Sequence, residues 1–366
     1  MKMKRGARIC AFFFILKLST ESYKLVDGEF LLFDSFSVMN DIAAQILNRL
    51  LKAGDFLSGE DLCYEFGMTR SAVWKHIRLL RAEGYHVDAV TGRGYRLSCL
   101  TGRPVKAEVT PFLTAQRFGR NILYHDVTAS TNLLAKSLAN DGSPEGSVVV
   151  ADSQTSGRGR MGRIWVSPSG VNLYFSLILR PGVPSIRVPQ LTLLVAAAIH
   201  QALVSVASDL APLIKWPNDI LLNGKKVCGV LCEMQSEPDL THFVVVGIGL
   251  NINQTLMPSE LQDVATSLFL ETGCLFARPE LLASVLNHFE PLYDAWILQE
   301  DLGFILPYLE KYSLLQSKQV TIDQLKRTLS GTVKGIARGG ELVIEGSDGQ
   351  THLISSGEAH LRKETL

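Results

Sequence analysis

The chain has 366 residues, 46% of them hydrophobic, so roughly two or three domains with cores of their own are expected. Lysine plus arginine and aspartate plus glutamate both total 36, which excludes a globally basic nucleic-acid coat and leaves only local basic surfaces. The six cysteines form no CxxC pair, a pattern that fits a reducing cytosol better than a disulfide-built secreted fold.

The first residues imitate a weak secretory signal, because four basic residues precede the apolar run at residues 9–16. The run is too short for a bilayer, which needs about 20 apolar residues, and no clear small-residue cleavage site follows it. We expect residues 1–38 to be a poorly ordered extension, since regular helical patterning begins just behind Met39. These observations predict a cytoplasmic protein without a membrane segment.

Residues 39–100 have the pattern of a winged helix-turn-helix domain. Ser58 and Thr69 are suited to cap helices, and apolar residues recur at helical spacing behind them. Two short alternating runs around a glycine-rich turn then predict a hairpin, the wing. The predicted helices begin at Asp41, Gly59 and Arg70, and the predicted strands cover residues 85–90 and 95–97.

The outward face of the third helix combines cations with polar side chains, as expected of a helix that reads a DNA major groove. The tip of the predicted wing adds another cation. The candidate DNA contacts are Arg70, Ser71, Trp74, Lys75, Arg78 and Arg93. A protein-binding helical module with a solvated charged face remains an alternative, because helix-turn-helix patterns also serve that purpose.

Strands begin to alternate with helices near residue 105, a change that marks a domain boundary. The turn signal Asn223-Gly224 joins two neighbouring strands antiparallel, so the predicted sheet is mixed. The segment 105–315 is therefore predicted to be an α+β domain. Its strand candidates are residues 122–125, 147–151, 173–179, 227–234 and 243–248, and its helices begin near residues 131, 188 and 278.

Glycine and arginine alternate in the sequence GRGRMGR at residues 157–163, directly after a predicted buried strand. Glycines let backbone N–H groups converge on an anion, and arginines supply paired donors for phosphate or carboxylate oxygens. The segment is not a Walker A motif, which would end in GKS or GKT. Taken alone, it is also compatible with a flexible RNA-contacting tip.

A second cationic region surrounds the turn Asn223-Gly224, with the sequence KWPND at residues 215–219 before it and Lys225 and Lys226 after it. Adenylation of a carboxylic acid brings two anions together, so cations must neutralise the carboxylate and the α-phosphate. Positioning and neutralisation suffice for this chemistry, and no covalent enzyme intermediate is needed. The absence of an obvious nucleophile motif in the sequence fits this reaction.

In chain order, these segments resemble the bifunctional biotin–protein ligases that also repress biotin synthesis. The resemblance covers residues 40–365, and KWPND beside GRGRxG is its most specific combination. Met161 is a departure, because the best-known members carry another arginine there. The matching segments are residues 130–132, 154–163, 172–174 and 215–219, Lys226 with Gly229, and residues 247–251.

The resemblance implies an enzyme that uses ATP and Mg²⁺ to convert biotin to biotinyl-5′-AMP. It then transfers biotin to a lysine of the biotin carboxyl carrier protein of acetyl-CoA carboxylase. It also implies a homodimer that binds operator DNA through residues 39–100 in response to biotin, which agrees with the usual pairing of such readers on two half-sites.

The resemblance also assigns residues to roles. It implies that Lys226, Arg158 and Arg160 are catalytic, and that Asp219 helps to hold Mg²⁺. The implied ATP contacts are Arg163, Trp165, Lys215, Asn218 and Asn251. The implied biotin contacts are Ser130, Thr131, Asn132, Gln154, Gly157, Arg158, Gly159, Arg160, Tyr174, Lys226, Gly229, Gly247 and Gly249.

Residues 316–366 alternate apolar and polar positions around two turn signals, Gly339-Gly340 and Asp348-Gly349, and this pattern suggests an SH3-like β-barrel. Residues 357–362 resemble the closing motif of the family's C-terminal domain. Two alternatives remain for the whole chain. One is a lipoate–protein ligase, which also activates an acid as an adenylate, and the other is a regulator that senses biotin without ligating it.

Overall fold

The computed structural model describes residues 22–26, 29–33, 41–237, 239–324 and 328–361. The chain divides into two units, Met1–Asn40 and Asp41–Leu366. In the first unit, β1 (Ser22–Val26) and β2 (Glu29–Phe33) pair antiparallel, a hairpin that the sequence did not predict. The expected poor order of the rest of residues 1–38 falls outside the described residues.

The second unit begins with three helices and an antiparallel hairpin, in the predicted order. The Ser58 hydroxyl accepts a hydrogen bond from the Asp61 N–H at 2.9 Å, and Thr69 caps the next helix in the same way. Val73, Ile77 and Leu80 form the predicted buried stripe of the third helix. The elements are α1 (Asp41–Ala53), α2 (Gly59–Phe66), α3 (Arg70–Ala82), β3 (His86–Val90) and β4 (Gly94–Cys99).

The next part of the chain builds a seven-stranded sheet in the order β5-β6-β7-β11-β10-β9-β8, with β5 parallel to β6 and the other pairs antiparallel. The predicted mixed sheet is thus confirmed. Its elements are α4 (Lys106–Val109), β5 (Ile122–Thr128), α5 (Thr131–Asn140), β6 (Val148–Gln154), β7 (Leu173–Leu179), α6 (Gln190–Val206), β8 (Leu213–Lys215), β9 (Asp219–Leu222), β10 (Lys225–Ser236), β11 (Thr241–Leu250), α7 (Leu268–Thr272), α8 (Arg278–Gln299) and α9 (Leu306–Lys311).

Helices cover both faces of this sheet. The main core lies between one face and the helices α6 and α8, and a smaller cluster packs α5 on the other face. Within the described residues, Ser185–Val206 is the one helical segment long and apolar enough to cross a membrane, and 72% of its apolar window is buried inside the protein. It therefore packs here as a core helix, because neighbouring elements cover its apolar surface.

The last five strands form an antiparallel sheet in the order β15-β14-β13-β12-β16. This β-rich module fits the predicted SH3-like arrangement, although the pairing among the described strands is that of an open sheet. Its apolar side chains belong to the main core, so it packs on the central domain. The strands are β12 (Gln319–Asp323), β13 (Thr328–Ile336), β14 (Leu342–Gly346), β15 (Thr351–Ile354) and β16 (Glu358–Leu361).

Gly94 fixes how the β3–β4 hairpin meets the segment before α2. Leu57 and Tyr95 exchange two backbone hydrogen bonds of 2.8 Å, and Gly94 stands beside them with a φ of 100°. A Cβ atom on Gly94 would overlap the Leu57 carbonyl oxygen, whereas one on Gly92 would meet open space at a similar φ of 80°.

We expect Gly94→Ala to destabilise this N-terminal domain by more than about 1 kcal/mol, because both the backbone conformation and the overlap oppose the new methyl group. Gly92→Ala is the matched control, since it adds strain without the overlap. Hydrogen exchange of residues 55–62 and 86–99 measures the effect. Equal exchange in the two variants would contradict this interpretation of Gly94.

Candidate active site

A cavity of about 580 Å³ lies beside the central sheet. Its wall combines the start of α5, the glycine loop after β6, the β8–β10 region, the end of β11 and, from the C-terminal module, β16. The structure thus brings together segments that the sequence separates widely. The predicted site residues on the wall are Ser130, Thr131, Asn132, Gln154, Arg158, Gly159, Arg160, Arg163, Trp165, Lys215, Asn218, Asp219, Lys226, Gly229, Gly247, Gly249 and Asn251.

Two predicted biotin contacts, Tyr174 and Gly157, do not reach the cavity wall. Tyr174 is fully buried in β7, where its hydroxyl donates to the Pro168 carbonyl oxygen at 3.1 Å. Gly157 is buried against the returning part of the loop, and a Cβ atom there would lie 2.5 Å from the Trp165 carbonyl oxygen. Neither residue lines the cavity in this structure, and their predicted contact with biotin stays a prediction.

The polar end of the cavity is a network of amides and hydroxyls around the start of α5. Gln154 Oε1 accepts hydrogen bonds from the N–H of Thr131 at 2.9 Å and from its hydroxyl at 3.2 Å. The Ser176 hydroxyl lies 2.8 Å from Thr131 Oγ1 and 2.6 Å from Asn132 Oδ1. Because these polar groups hydrogen-bond one another, their donors and acceptors are held in fixed positions.

Two glycines of β11 make room for side chains that approach the sheet closely. Gly247 and Gly249 lie on the same face of the strand, because side chains alternate between faces. A Cβ atom on Gly247 would overlap the Asn132 amide, and one on Gly249 would overlap the Trp165 ring. Asn132 and Trp165 can therefore pack against β11 only because glycine stands at both of these positions.

Lys226 is one of the cations on the cavity wall. Its Nζ lies 2.7 Å from Asp219 Oδ1 and 5.4 Å from the centroid of the Trp165 ring, and its side chain is 32% exposed. The neighbouring Lys225 is not on the wall, and its Nζ donates to the Gln262 carbonyl oxygen at 2.7 Å. Alternation along β10 thus turns one lysine into the cavity and the other away from it.

The glycine loop is tied to the β8–β9 turn by Arg160, whose Nη1 donates to Asn218 Oδ1 at 3.0 Å. Asn218 in turn donates to the Val230 carbonyl oxygen, also at 3.0 Å. Met161, the departure from the family pattern, has a φ of 56° and is 76% exposed. Met161 is on the cavity wall, where its thioether supplies no hydrogen-bond donor.

Glu358 is a cavity residue that the sequence analysis missed. It forms a two-pronged ion pair with Arg163, in which Arg163 Nη1 lies 2.9 Å from Glu358 Oε1. The hydrogen bond from Arg163 holds the pKa of the Glu358 carboxyl below its usual range. The two residues are 195 positions apart, so the only available signal was the resemblance of residues 357–362 to the family's closing motif.

The six candidate DNA contacts all lie on the exposed surface of α3 and the β3–β4 hairpin. Arg70 is paired with Glu60, and the Arg78 guanidinium lies 4.8 Å from the centroid of the Trp74 ring. Arg93 stacks 4.2 Å from the Phe56 ring centroid. Ser71 and Lys75 are exposed as well, whereas Arg70 and Arg93 lie against the carboxylates of Glu60 and Asp55, so the predicted DNA contacts stay a prediction.

The three parts of the chain each match a known family or domain. The Biotin/lipoate A/B protein ligase family matches residues 124–251, an HTH domain matches residues 43–96, and the Biotin protein ligase C terminal domain matches residues 318–362. The bifunctional ligase/repressor BirA of Bacillus subtilis is 42% identical over 310 residues, covering 82% of this chain and 93% of that protein. Its Escherichia coli counterpart is 29% identical and covers 86% and 96%.

Among solved structures, the biotin protein ligase from Aquifex aeolicus in complex with biotin and ATP is 31% identical, with a TM-score of 0.59. The match covers 67% of this chain and all of that one. The chain therefore belongs to the bifunctional ligase/repressor family, as a biotin–protein ligase that carries an N-terminal helix-turn-helix repressor domain.

Proposed function

We propose that this chain joins biotin to ATP in the described cavity, releases pyrophosphate, and then transfers biotin to a lysine of the biotin carboxyl carrier protein. The observation that carries the proposal is the convergence of the GRGRMGR loop, the KWPND segment and Lys226 on one cavity wall. An anion-binding loop and a lysine on the same wall suit the joining of two anions. We place the protein in the cytoplasm.

The amide and hydroxyl network at the start of α5 is suited to the ureido ring of biotin. That ring needs both donors and acceptors, which Ser130, Thr131, Asn132 and Gln154 present together. Gly229, Gly247 and Gly249 let Lys226, Asn132 and Trp165 pack close to the strands, which leaves the cavity beyond these side chains for the rest of the acid. The loop residues Arg158, Gly159 and Arg160 would cover it, with Gly157 and Tyr174 supporting them from behind.

The nucleotide then takes the end of the cavity where the remaining cations lie. Lys215 and Arg163 supply charge for its phosphates, and Asn218 and Asn251 supply amides. The indole of Trp165 presents an aromatic face against Gly249, next to Lys226. An aromatic surface beside cations is suited to the base and phosphates of one nucleotide.

In the first step, a carboxylate oxygen of biotin attacks the α-phosphorus of ATP, and the bond to the departing pyrophosphate breaks. Lys226 neutralises the two approaching anions, which stabilises the negative charge of the transition state. In the second step, the lysine nitrogen of the carrier protein attacks the acyl carbon. The bond between acyl carbon and phosphate oxygen breaks, AMP leaves, the nitrogen gives up a proton to solvent, and an amide remains.

Magnesium fits this site only as an ion held largely by phosphate oxygens. No group of three His, Cys, Asp or Glu side chains among the described residues is arranged to hold a metal by itself. Asp219 supplies one carboxylate on the wall, and Mg²⁺ is commonly held by one or two carboxylates plus substrate phosphates. When bound, the ion would neutralise phosphate charge.

We expect Lys226→Ala to slow adenylate formation by about 10²–10³-fold, because it removes the charge that stabilises the joining anions. Lys225→Ala is the matched control, since that lysine lies one position away and faces outside the cavity. Single-turnover formation of biotinyl-adenylate measures both variants. Near-normal adenylation by Lys226→Ala would refute the role of this lysine.

We expect Arg160→Gly to speed the escape of biotinyl-adenylate, because it removes both a phosphate donor and the bond from the loop to Asn218. Labelling of lysines on bystander proteins should then rise. Arg338→Ala serves as the control, because that exposed arginine pairs with Asp301 and is not on the cavity wall. Unchanged bystander labelling with normal ligation would exclude a retention role for Arg160.

We further propose that the cationic face of α3 enters the major groove of operator DNA, with Arg93 on the hairpin acting as a wing contact. Readers of this kind usually bind paired half-sites, which supports a homodimer. If the adenylate orders loops that also form the dimer surface, ligand binding must favour the dimer and tighten DNA binding. The carrier protein would weaken DNA binding by consuming the adenylate.

We expect biotin plus ATP to tighten binding to a DNA fragment from the cognate biotin locus, as measured by gel shift. The Lys226→Ala chain should show no such ligand effect, because it makes little adenylate. Equal affinity of the unaltered chain with and without both ligands would leave the ligase assignment standing and exclude adenylate as a corepressor.

A further inference from the structure

A buried ion pair lies behind the cavity wall, and the proposed reaction does not use it. Arg278, at the start of α8, is only 5% exposed, and its Nη1 donates to Asp152 Oδ1 at 2.7 Å. The same nitrogen lies 3.2 Å from the Asn172 carbonyl oxygen, just before β7. Because a buried charge is costly without its partner, the two side chains hold each other in place.

Asp152 fastens the base of the glycine loop. It lies in β6 two residues before Gln154, and its second oxygen accepts a hydrogen bond from the Ser169 hydroxyl, where the loop returns. The backbone N–H of Gly170 also donates to it. Burial raises the pKa of the Asp152 carboxyl, but the bonds from Ser169 and Arg278 bring it below its usual range. A charged carboxylate therefore joins both ends of the loop.

The same arginine holds the linker that carries the helix-turn-helix domain. Its Nε donates to the Gly102 carbonyl oxygen at 3.1 Å. Glu108, fully buried in α4, accepts hydrogen bonds from the N–H groups of Thr101 at 3.1 Å and Gly102 at 3.0 Å. Burial and the nearby Glu108 carboxylate, to which its hydroxyl is hydrogen-bonded, raise the pKa of Tyr85 after α3. Glu108 therefore contacts both the linker and Tyr85, which follows α3 of the DNA-binding domain.

We infer that Arg278 is a positioning residue for adenylate retention, because its guanidinium group binds both the Asp152 carboxylate at the base of the glycine loop and the Gly102 carbonyl oxygen of the linker. The inference rests on the proposed ligase function. Arg278 does not line the cavity, so it acts through Asp152 and the loop. Displacement of the linker should therefore loosen the base of the glycine loop. Coupling between two sites is reciprocal, so ordering of the loop should also hold the linker more firmly in place.

The test uses three variants of the full chain: Arg278→Lys, Glu108→Gln and the control Glu290→Gln. Glu290 also accepts backbone N–H bonds, from residues 116–118, but that segment belongs to neither the loop nor the linker. Ser169→Ala is a second loop-side variant, should Arg278→Lys fail to fold. Two rates are measured: tryptic cleavage at the loop arginines in the ligand-free chain, and release of biotinyl-adenylate from its preformed complex.

We expect Arg278→Lys, Ser169→Ala and Glu108→Gln each to raise both rates several-fold, with Glu290→Gln unchanged. Single-turnover adenylate formation should stay near the wild-type rate, because none of these residues lines the cavity. If Glu108→Gln behaves like Glu290→Gln in both measurements, the inference is overturned. If the unaltered chain makes no adenylate, the proposed function fails, and tryptic cleavage still decides whether the linker and loop are connected.

Discussion

The Lys226–Asp219 ion pair is the interaction around which the cavity is organised. In the proposed reaction Lys226 meets two anions, and a half-buried ammonium group needs a partner before they arrive. Asp219 supplies that partner from the neighbouring strand, and Asn218 and Glu358 do the same for two arginines of the glycine loop. The cations are therefore held in position before a ligand binds, which is the condition for electrostatic catalysis without costly rearrangement.

Close packing around these charges explains why glycines recur in the wall. Gly229 and Gly249 both lie against the Trp165 ring, and Gly247 lies against the Asn132 amide. Any side chain at these positions would push the aromatic ring or the amide into the space that a ligand needs. Because the glycines have no side chains, the polar network and the cationic end of the site fit within one cavity.

The C-terminal module shares a hydrophobic core with the central domain, and polar contacts connect the central domain to both of its neighbours. Arg163 and Glu358 connect the glycine loop to the C-terminal module, and Arg278 connects the base of that loop to the linker of the helix-turn-helix domain. A loop held at these two places by charged groups can respond to changes in either neighbouring domain. This arrangement gives a physical basis for combining ligation and repression in one chain.

The sequence by itself determined the local elements and the set of motifs. Caps such as Ser58, the turn Asn223-Gly224 and the apolar periodicities depend on neighbouring residues, so the three-part α+β organisation was predictable from them. The residues to which the family resemblance assigned roles make up fewer than half of the cavity-wall residues. Tertiary structure alone decided that Tyr174 lies behind the wall, that Glu358 holds Arg163, and that Arg278 meets Asp152 from 126 positions away. Such contacts depend on how strands and helices pack, and no local spacing in the chain records them.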